Sequence, residues 1–274
     1  MTQTNRRSAV EDAVSALVHP TASIDPGAEL GGGVRVGPYA VIANHTHIGP
    51  GTWIGPHAVI EEWTTLGREC RVSPCAVLGG VPQDRHFQGE RSYLRIGDRV
   101  TVREYVSVSR ATGEDAETVI GDDTQMLAYA HVGHNSRIGK SVIITNATQI
   151  SGHVLIEDRA VFGGLVGVAQ FYRIGTMAMV SGCTAIRKDV PPYMLVEGDP
   201  LRIVTINRVG LTRGGVPPEI QLKLRRAHRL LVRSRLDVSH ALERIEEELR
   251  DCDEVRHLVT FIRESQARGM GIGR

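Results

Sequence analysis

The feature that most restricts this chain is an apolar residue at every sixth position over most of its length. Stepping from Val18 gives Ile24, Leu30, Val36, Ile42, Ile48, Ile54, Ile60, Leu66, Val72 and Leu78. The same frame resumes at Ile96, Val102 and Val108 and continues from Ile120 through Met126, Val132, Ile138, Ile144, Ile150 and Phe162 to Ile186. Of its 29 sites between 18 and 186, only Asp84, Glu90 and Glu114 are polar. With such residues filling roughly a third of an ordinary chain, this regularity is no accident of composition.

A period of six suits neither a 3.6-residue helix nor a simple two-residue alternation. The residue after the apolar one is often Gly, as in Ile48-Gly49, Ile54-Gly55, Ile138-Gly139 and Ile174-Gly175, which fits short strands joined by tight corners. Three strands make a triangular coil of about 18 residues, each apolar side chain pointing to the axis and each coil hydrogen-bonded to the next. The expected fold is an all-β solenoid, a left-handed parallel β-helix, over residues 18–200. Thirty glycines beside four phenylalanines and two tryptophans agree with a repeat core built from aliphatics.

Such a solenoid has a dry interior, so function belongs on its faces, at its loops or between copies. The frame is interrupted over residues 83 to 95 and 111 to 118, two polar stretches expected to be external loops that carry binding residues. After Pro191-Pro192 the frame ends, and from Pro217-Pro218 onward apolar residues recur at helical spacing. Residues 201–274 are therefore expected to form a C-terminal α-helical domain. Residues 1–17 form an N-terminal extension, whose residues 8 to 17 suit a short helix.

A formal charge of +1 provides no overall field to attract nucleic acid or an acidic membrane. Cys70, Cys75, Cys183 and Cys252 form no CxxC pair and no ligand grouping with His, so neither a disulfide framework nor a metal site is expected. No secretory signal and no run of roughly 18 apolar residues is evident, which points to a cytoplasmic protein without stable membrane insertion.

The most suggestive stretch is Ala130-His131-Val132-Gly133-His134-Asn135, in which two histidines flank an inward-facing Val. His153 falls about one coil from His134, offset by one position, so three imidazoles should gather. Singly, each is more often a surface histidine. Together they suit acyl transfer to a hydroxyl, which needs a base near neutral pH. Gly152, stacked beside His134, could offer an oxyanion-binding N–H. A zinc site is the other reading of clustered His, but no Asp, Glu or Cys stands at a matching stacked position.

The chain resembles the UDP-N-acetylglucosamine O-acyltransferases of lipid A biosynthesis over nearly its whole length. The resemblance rests on His19-Pro20-Thr21-Ala22, Gln83-Asp84, Gly89-Glu90, Arg103-Glu104, Ala130-His131, Gly133-His134, Asn146-Ala147-Thr148, Gly152-His153-Val154, Gln170-Phe171, the run from Asp189 to Tyr193, Asn207 and Gly210-Leu211. Arg233-Ser234 and Asp253-Glu254-Val255 in the tail match as well.

The resemblance implies a homotrimer with its site between subunits, and no cofactor. It implies transfer of a 3-hydroxyacyl chain from acyl carrier protein to the 3-hydroxyl of UDP-N-acetylglucosamine, with His134 as general base. Asp84 would contact the sugar, and Gln83, His131, His153, Gln170 and the neighbouring Phe171 would line the site. Asn207 and Arg213 would hold the uridine diphosphate, and Gly182 would limit acyl length. Lys223, Arg225, Arg226, Arg229, Arg233 and Arg235 offer an acidic carrier protein a docking surface.

The chain departs from the family pattern at several positions. Ala169 stands where a second active-site His is usual, His86 where Lys is, Asn135 where an acid follows the base, and Val209 where a Glu lies near the nucleotide. The usual His-Arg-Gly-Thr run reads Ser109-Arg110-Ala111-Thr112. Two rivals remain open on sequence alone: an N-acyltransferase acting on an amino or diamino sugar nucleotide, and a β-helix that is structural or carbonic-anhydrase-like.

Overall fold

The computed structural model describes residues 15–273. Most of the short helix expected over residues 8 to 17 lies outside the described residues, and Leu17–Val18 already forms the first strand. The chain winds as a left-handed parallel β-helix whose strands, mostly two residues long, fall into three sheets of eleven, nine and eight strands. We call these face 1 (from Leu17–Val18), face 2 (from Ser23–Ile24) and face 3 (from Glu29–Leu30).

Register explains why the frame survives its interruptions. Val18 pairs with Val36 and Val132 with Ile150, each one undisturbed coil further along the chain. Leu78 pairs with Val108, and Val108 with Val132, across coils lengthened by the loops. The first insertion adds two hexapeptides and the second adds one, so every apolar side chain still faces the axis. Both leave the barrel at the same edge, the corner between faces 2 and 3, as loops 81–92 and 110–116. Their ends are tighter than the sequence suggests: Tyr93–Ile96 pairs with Glu117–Ile120 along its whole length, because polar outward side chains do not prevent main-chain pairing.

From Val36 onward the apolar frame residues are the core, with Ile42, Ile54, Ile60, Leu78, Ile144, Ile150 and Phe162 almost wholly buried. Burying each such side chain contributes about 1.5–3 kcal/mol. Three positions after the frame residue the backbone turns left-handed, at Tyr39, His57, Asn135, His153 and Phe171 among many others. That conformation costs an ordinary L-residue about 1–2 kcal/mol. Inter-coil bonds offset it, such as His153 N–H to the His134 carbonyl at 2.9 Å. Two positions before the frame residue, small hydroxyls complete the corner. Ser136 Oγ donates to the Ser151 carbonyl and accepts from Val154 N–H, and Thr124 does the same with Gly139 and Val142.

The solenoid closes on a hairpin that periodicity did not reveal, Met194–Glu197 paired antiparallel with Arg202–Ile206. Four helices follow: α1 (Arg208–Arg213), α2 (Pro218–His228), α3 (Val238–Leu249) and α4 (Asp253–Ala267), with a π-helical turn, Arg229–Arg233, extending α2. The last residues return to the solenoid, where Asp189 pairs with Ile272 and its buried carboxylate meets Arg268 at 3.2 Å. Among the described residues no helix is long and apolar enough to cross a membrane.

Candidate active site

The face 2–3 corner carries Asn135, His153 and Phe171 one coil apart, beneath the two loops. His134 sits one residue before this column and is 5% exposed, covered by loop 81–92 instead of projecting into solvent. Its ring meets His153 edge-on, with centroids 5.1 Å apart, and His153 stacks on Phe171 at 4.9 Å. Beside it opens a cleft of about 240 Å³ lined by Gln83, Ser109, His131, Gly133, His134, Gln149, Ser151, Gly152 and Gln170.

Polar partners fix the ring. His134 Nδ1 lies 2.8 Å from Asn135 Oδ1 and 3.9 Å from Asp84 Oδ2. Asp84 accepts a bond from His86 N–H at 3.0 Å, and this bond, with the His86 ring behind it, pulls its carboxyl down to about 2. Asp84 is thus a standing negative charge beside His134. His131 is bonded to Ser107 Oγ at 2.8 Å, and burial lowers its basicity. Burial, with His134 alongside, also lowers that of His153.

Gly152 lies against the His134 ring, and a Cβ there would fall 2.6 Å from Nε2. The glycine keeps space open at that nitrogen. Below His131 on face 2 the aligned outward residues pass from the long Gln149 to the small Gly167 and Ala185. Ser109, Gln149 and Ser151 were not singled out from sequence as lining residues. Gln149 and Ser151 stand one coil from His131 and Gly133, so stepping a single coil along the chain finds them.

Asn207, Arg213 and Gly182 lie elsewhere in the chain, Asn207 buried and the other two exposed. Asn207 and Arg213 border a second cleft of about 840 Å³ against face 1, floored by Ile143, Val161, Met179 and Leu195. The Asn207 amide is engaged, its Oδ1 capping α1 through Gly210 N–H and its Nδ2 donating to the Met177 carbonyl. Arg213, at the end of α1, is exposed. Gly182 is exposed near the face 1–2 corner, where a Cβ would approach the Gly164 carbonyl oxygen at 3.2 Å.

Of the basic residues in the tail, Lys223 pairs with Asp251 and Arg226 with Glu248, whereas Arg225, Arg229, Arg233 and Arg235 are exposed. Among the described residues no three His, Cys, Asp or Glu side chains converge as a metal ion requires.

Comparison with known proteins agrees with this fold. Residues 189–271 match the family described as UDP-N-acetylglucosamine O-acyltransferase, domain 2, and residues 45–80 match the bacterial transferase hexapeptide family of six repeats. An acyl-[acyl-carrier-protein]–UDP-N-acetylglucosamine O-acyltransferase of Xylella fastidiosa is 43% identical over 254 residues, covering 92% of this chain and 97% of that protein. One from Anaeromyxobacter dehalogenans is 44% identical over 250 residues, 91% and 97% of the two chains.

Among solved structures, the UDP-N-acetylglucosamine acyltransferase of Bacteroides fragilis superposes with a TM-score of 0.89 at 32% identity, over 94% of this chain and all of that one. The Arabidopsis enzyme gives 0.73 at 29% identity, over 95% and 99%. Identity above 40% along nine-tenths of both sequences, with the same solenoid and helical tail, leaves one assignment: the chain belongs to the UDP-N-acetylglucosamine O-acyltransferase family.

Proposed function

We propose that this protein transfers a 3-hydroxyacyl chain from acyl carrier protein to the 3-hydroxyl of UDP-N-acetylglucosamine, the first step of lipid A biosynthesis. The observation that carries the reading is His134, buried beside a cleft, with Nδ1 bonded to Asn135 and Nε2 facing the space that Gly152 leaves open. Family membership supplies the substrates, since fold alone does not choose a reaction.

In this reading Nε2 of His134 takes the proton of the sugar 3-hydroxyl as its oxygen bonds to the thioester carbonyl carbon. The negative charge collects on the former carbonyl oxygen, where the Gly152 N–H is the donor of choice. Collapse breaks the C–S bond, and the imidazolium returns its proton to the departing thiolate. Asp84 contacts the sugar and its charge favours the imidazolium formed in between. Gln83, His131, His153, Gln170 and Phe171 line the sugar and pantetheine side.

The small outward residues Gly167 and Ala185 below Gln149 leave a shallow furrow suited to an acyl chain, and Gly182 bounds its length. Arg213 suits the diphosphate, because a guanidinium pairs with phosphate oxygens through two parallel bonds. Asn207 holds the helix that carries it. Acyl carrier protein docks on the exposed Arg225, Arg229, Arg233 and Arg235. We place the enzyme in the cytoplasm as a homotrimer.

Single-turnover transfer from 3-hydroxyacyl carrier proteins of several lengths to UDP-N-acetylglucosamine tests this. His134→Ala is expected to slow it by about a hundredfold or more, the range for losing a general base. An alkali-labile ester should form; an amide, or no transfer by the wild type, overturns the assignment.

A further inference from the structure

Asn135 stands where an acid would follow the base, and its surroundings explain the exchange. Its Oδ1 accepts from Thr112 N–H at 2.9 Å while its Nδ2 donates to the Thr112 carbonyl at 2.9 Å. Rotating the amide by half a turn would set NH₂ against N–H and carbonyl against carbonyl, so one orientation alone satisfies all four groups. With Oδ1 fixed as an acceptor, the His134 nitrogen 2.8 Å from it must carry the proton. Neutral His134 is thereby held as the Nδ1–H tautomer, and its lone pair is on Nε2, the nitrogen beside Gly152.

We infer that Asn135 is a positioning residue that sets the tautomer of His134 and latches loop 110–116 to the base through the same amide. The inference rests on His134 being the base of the proposed reaction. An aspartate could accept from Nδ1–H but would face the Thr112 carbonyl with a second acceptor and lose the latch. Asparagine also tolerates the left-handed backbone required here, φ 59°. Its own N–H donates to Thr118 Oγ1 at 2.8 Å, tying the strand that follows the loop to the same corner.

The titratable groups around the ring are Asp84 at 3.9 Å from Nδ1, His153 edge-on, and His131 across the cleft. Glu90 acts at one remove, bonded to Gly113 N–H of the same loop. With Asn135 neutral, Asp84 is the one carboxylate among the described residues within ion-pairing distance of His134.

The test is kcat and KM against pH for the wild type, Asn135→Gly and Asn135→Asp, with His134→Ala alongside. Nitrogen-15 spectra of histidine-labelled protein, assigned by the resonance missing in His134→Ala, report the tautomer without reference to activity. Asn135→Gly removes the amide without straining a positive φ. It is expected to lower kcat by about 10- to 100-fold, the range of general-base catalysis, with KM for the sugar nucleotide within about twofold. His134 should then shift toward the Nε2–H form. Asn135→Asp should retain more of kcat than Asn135→Gly and move the acidic limb of kcat/KM upward by roughly one pH unit, because a carboxylate favours the imidazolium.

Wild-type His134 protonated on Nε2, or Asn135→Gly with wild-type kcat, overturns the inference. Undiminished activity in His134→Ala instead removes the base reading, and the spectra then decide the role of Asn135 by themselves.

Discussion

A methyl group on Gly152 would lie 2.6 Å from Nε2 of His134 and 2.7 Å from Cε1, well inside contact distance. The φ of Gly152 is not positive, so the backbone accepts alanine and the ring must give way instead. Gly152→Ala should therefore fold with a nearly unchanged melting temperature while losing about a hundredfold in kcat, as expected when a base is displaced by about an ångström. A variant with full turnover would mean that Nε2 is not the working nitrogen. The meeting of His134 and His153 was legible in the sequence because one coil plus one position is a fixed step in this solenoid. The hold of Asn135 on the main chain of Thr112 was not, since it is a contact between coils that periodicity does not predict. Nor did residue type disclose that both ends of the Asn207 amide are committed to holding α1.

At the scale of elements, α4 is held to face 3 by a half-buried relay. Glu157 accepts from Thr176 N–H and Oγ1 at 2.8 Å, His257 Nε2 lies 3.1 Å from it, and the other ring nitrogen of His257 is bonded to Tyr193 OH at 2.9 Å. Burial alone would push the Glu157 carboxyl up, but His257 and Thr176 together hold it below its ordinary 4.5. A carboxyl depressed in the folded state stabilises the fold above the unfolded value and loses that stabilisation as pH falls through the folded one. Glu157→Gln should therefore melt lower than wild type at pH 7, by about 2–4 °C for each kilocalorie lost in a chain of this size. The difference should shrink below pH 4 at matched protein concentration. A constant difference across pH would assign the loss to packing. The coils and loops were legible because each insertion is a whole number of hexapeptides and so preserves phase. This relay was not, because Glu157 and His257 lie far apart in the chain and no repeat joins them. The hairpin after Pro192 escaped notice for a related reason: its return strand, Arg202–Ile206, runs against the direction that the hexapeptide rule assumes.

At the scale of the whole molecule, the two sets of candidate binding residues do not meet. His134, Asp84 and Gly152 belong to the face 2–3 corner, whereas Asn207 and Arg213 border a separate cleft on face 1. The solenoid between them is packed with aliphatic side chains, so no substrate reaches from one to the other through the core. If one UDP-N-acetylglucosamine uses both sets, a neighbouring copy must supply one of them, and in a closed ring of three every copy plays both parts. Two variants then complement each other. His134→Ala removes the base and Arg213→Glu repels the diphosphate, and each alone should be inactive. Co-assembled in equal amounts, they form about a quarter of their sites with an intact His134 from one chain and an intact Arg213 from the next, given random cyclic mixing. Activity should return to about a quarter of the wild-type level and stay absent when separately purified variants are combined without subunit exchange. Were both residues to serve a site within one chain, no mixing ratio would restore turnover.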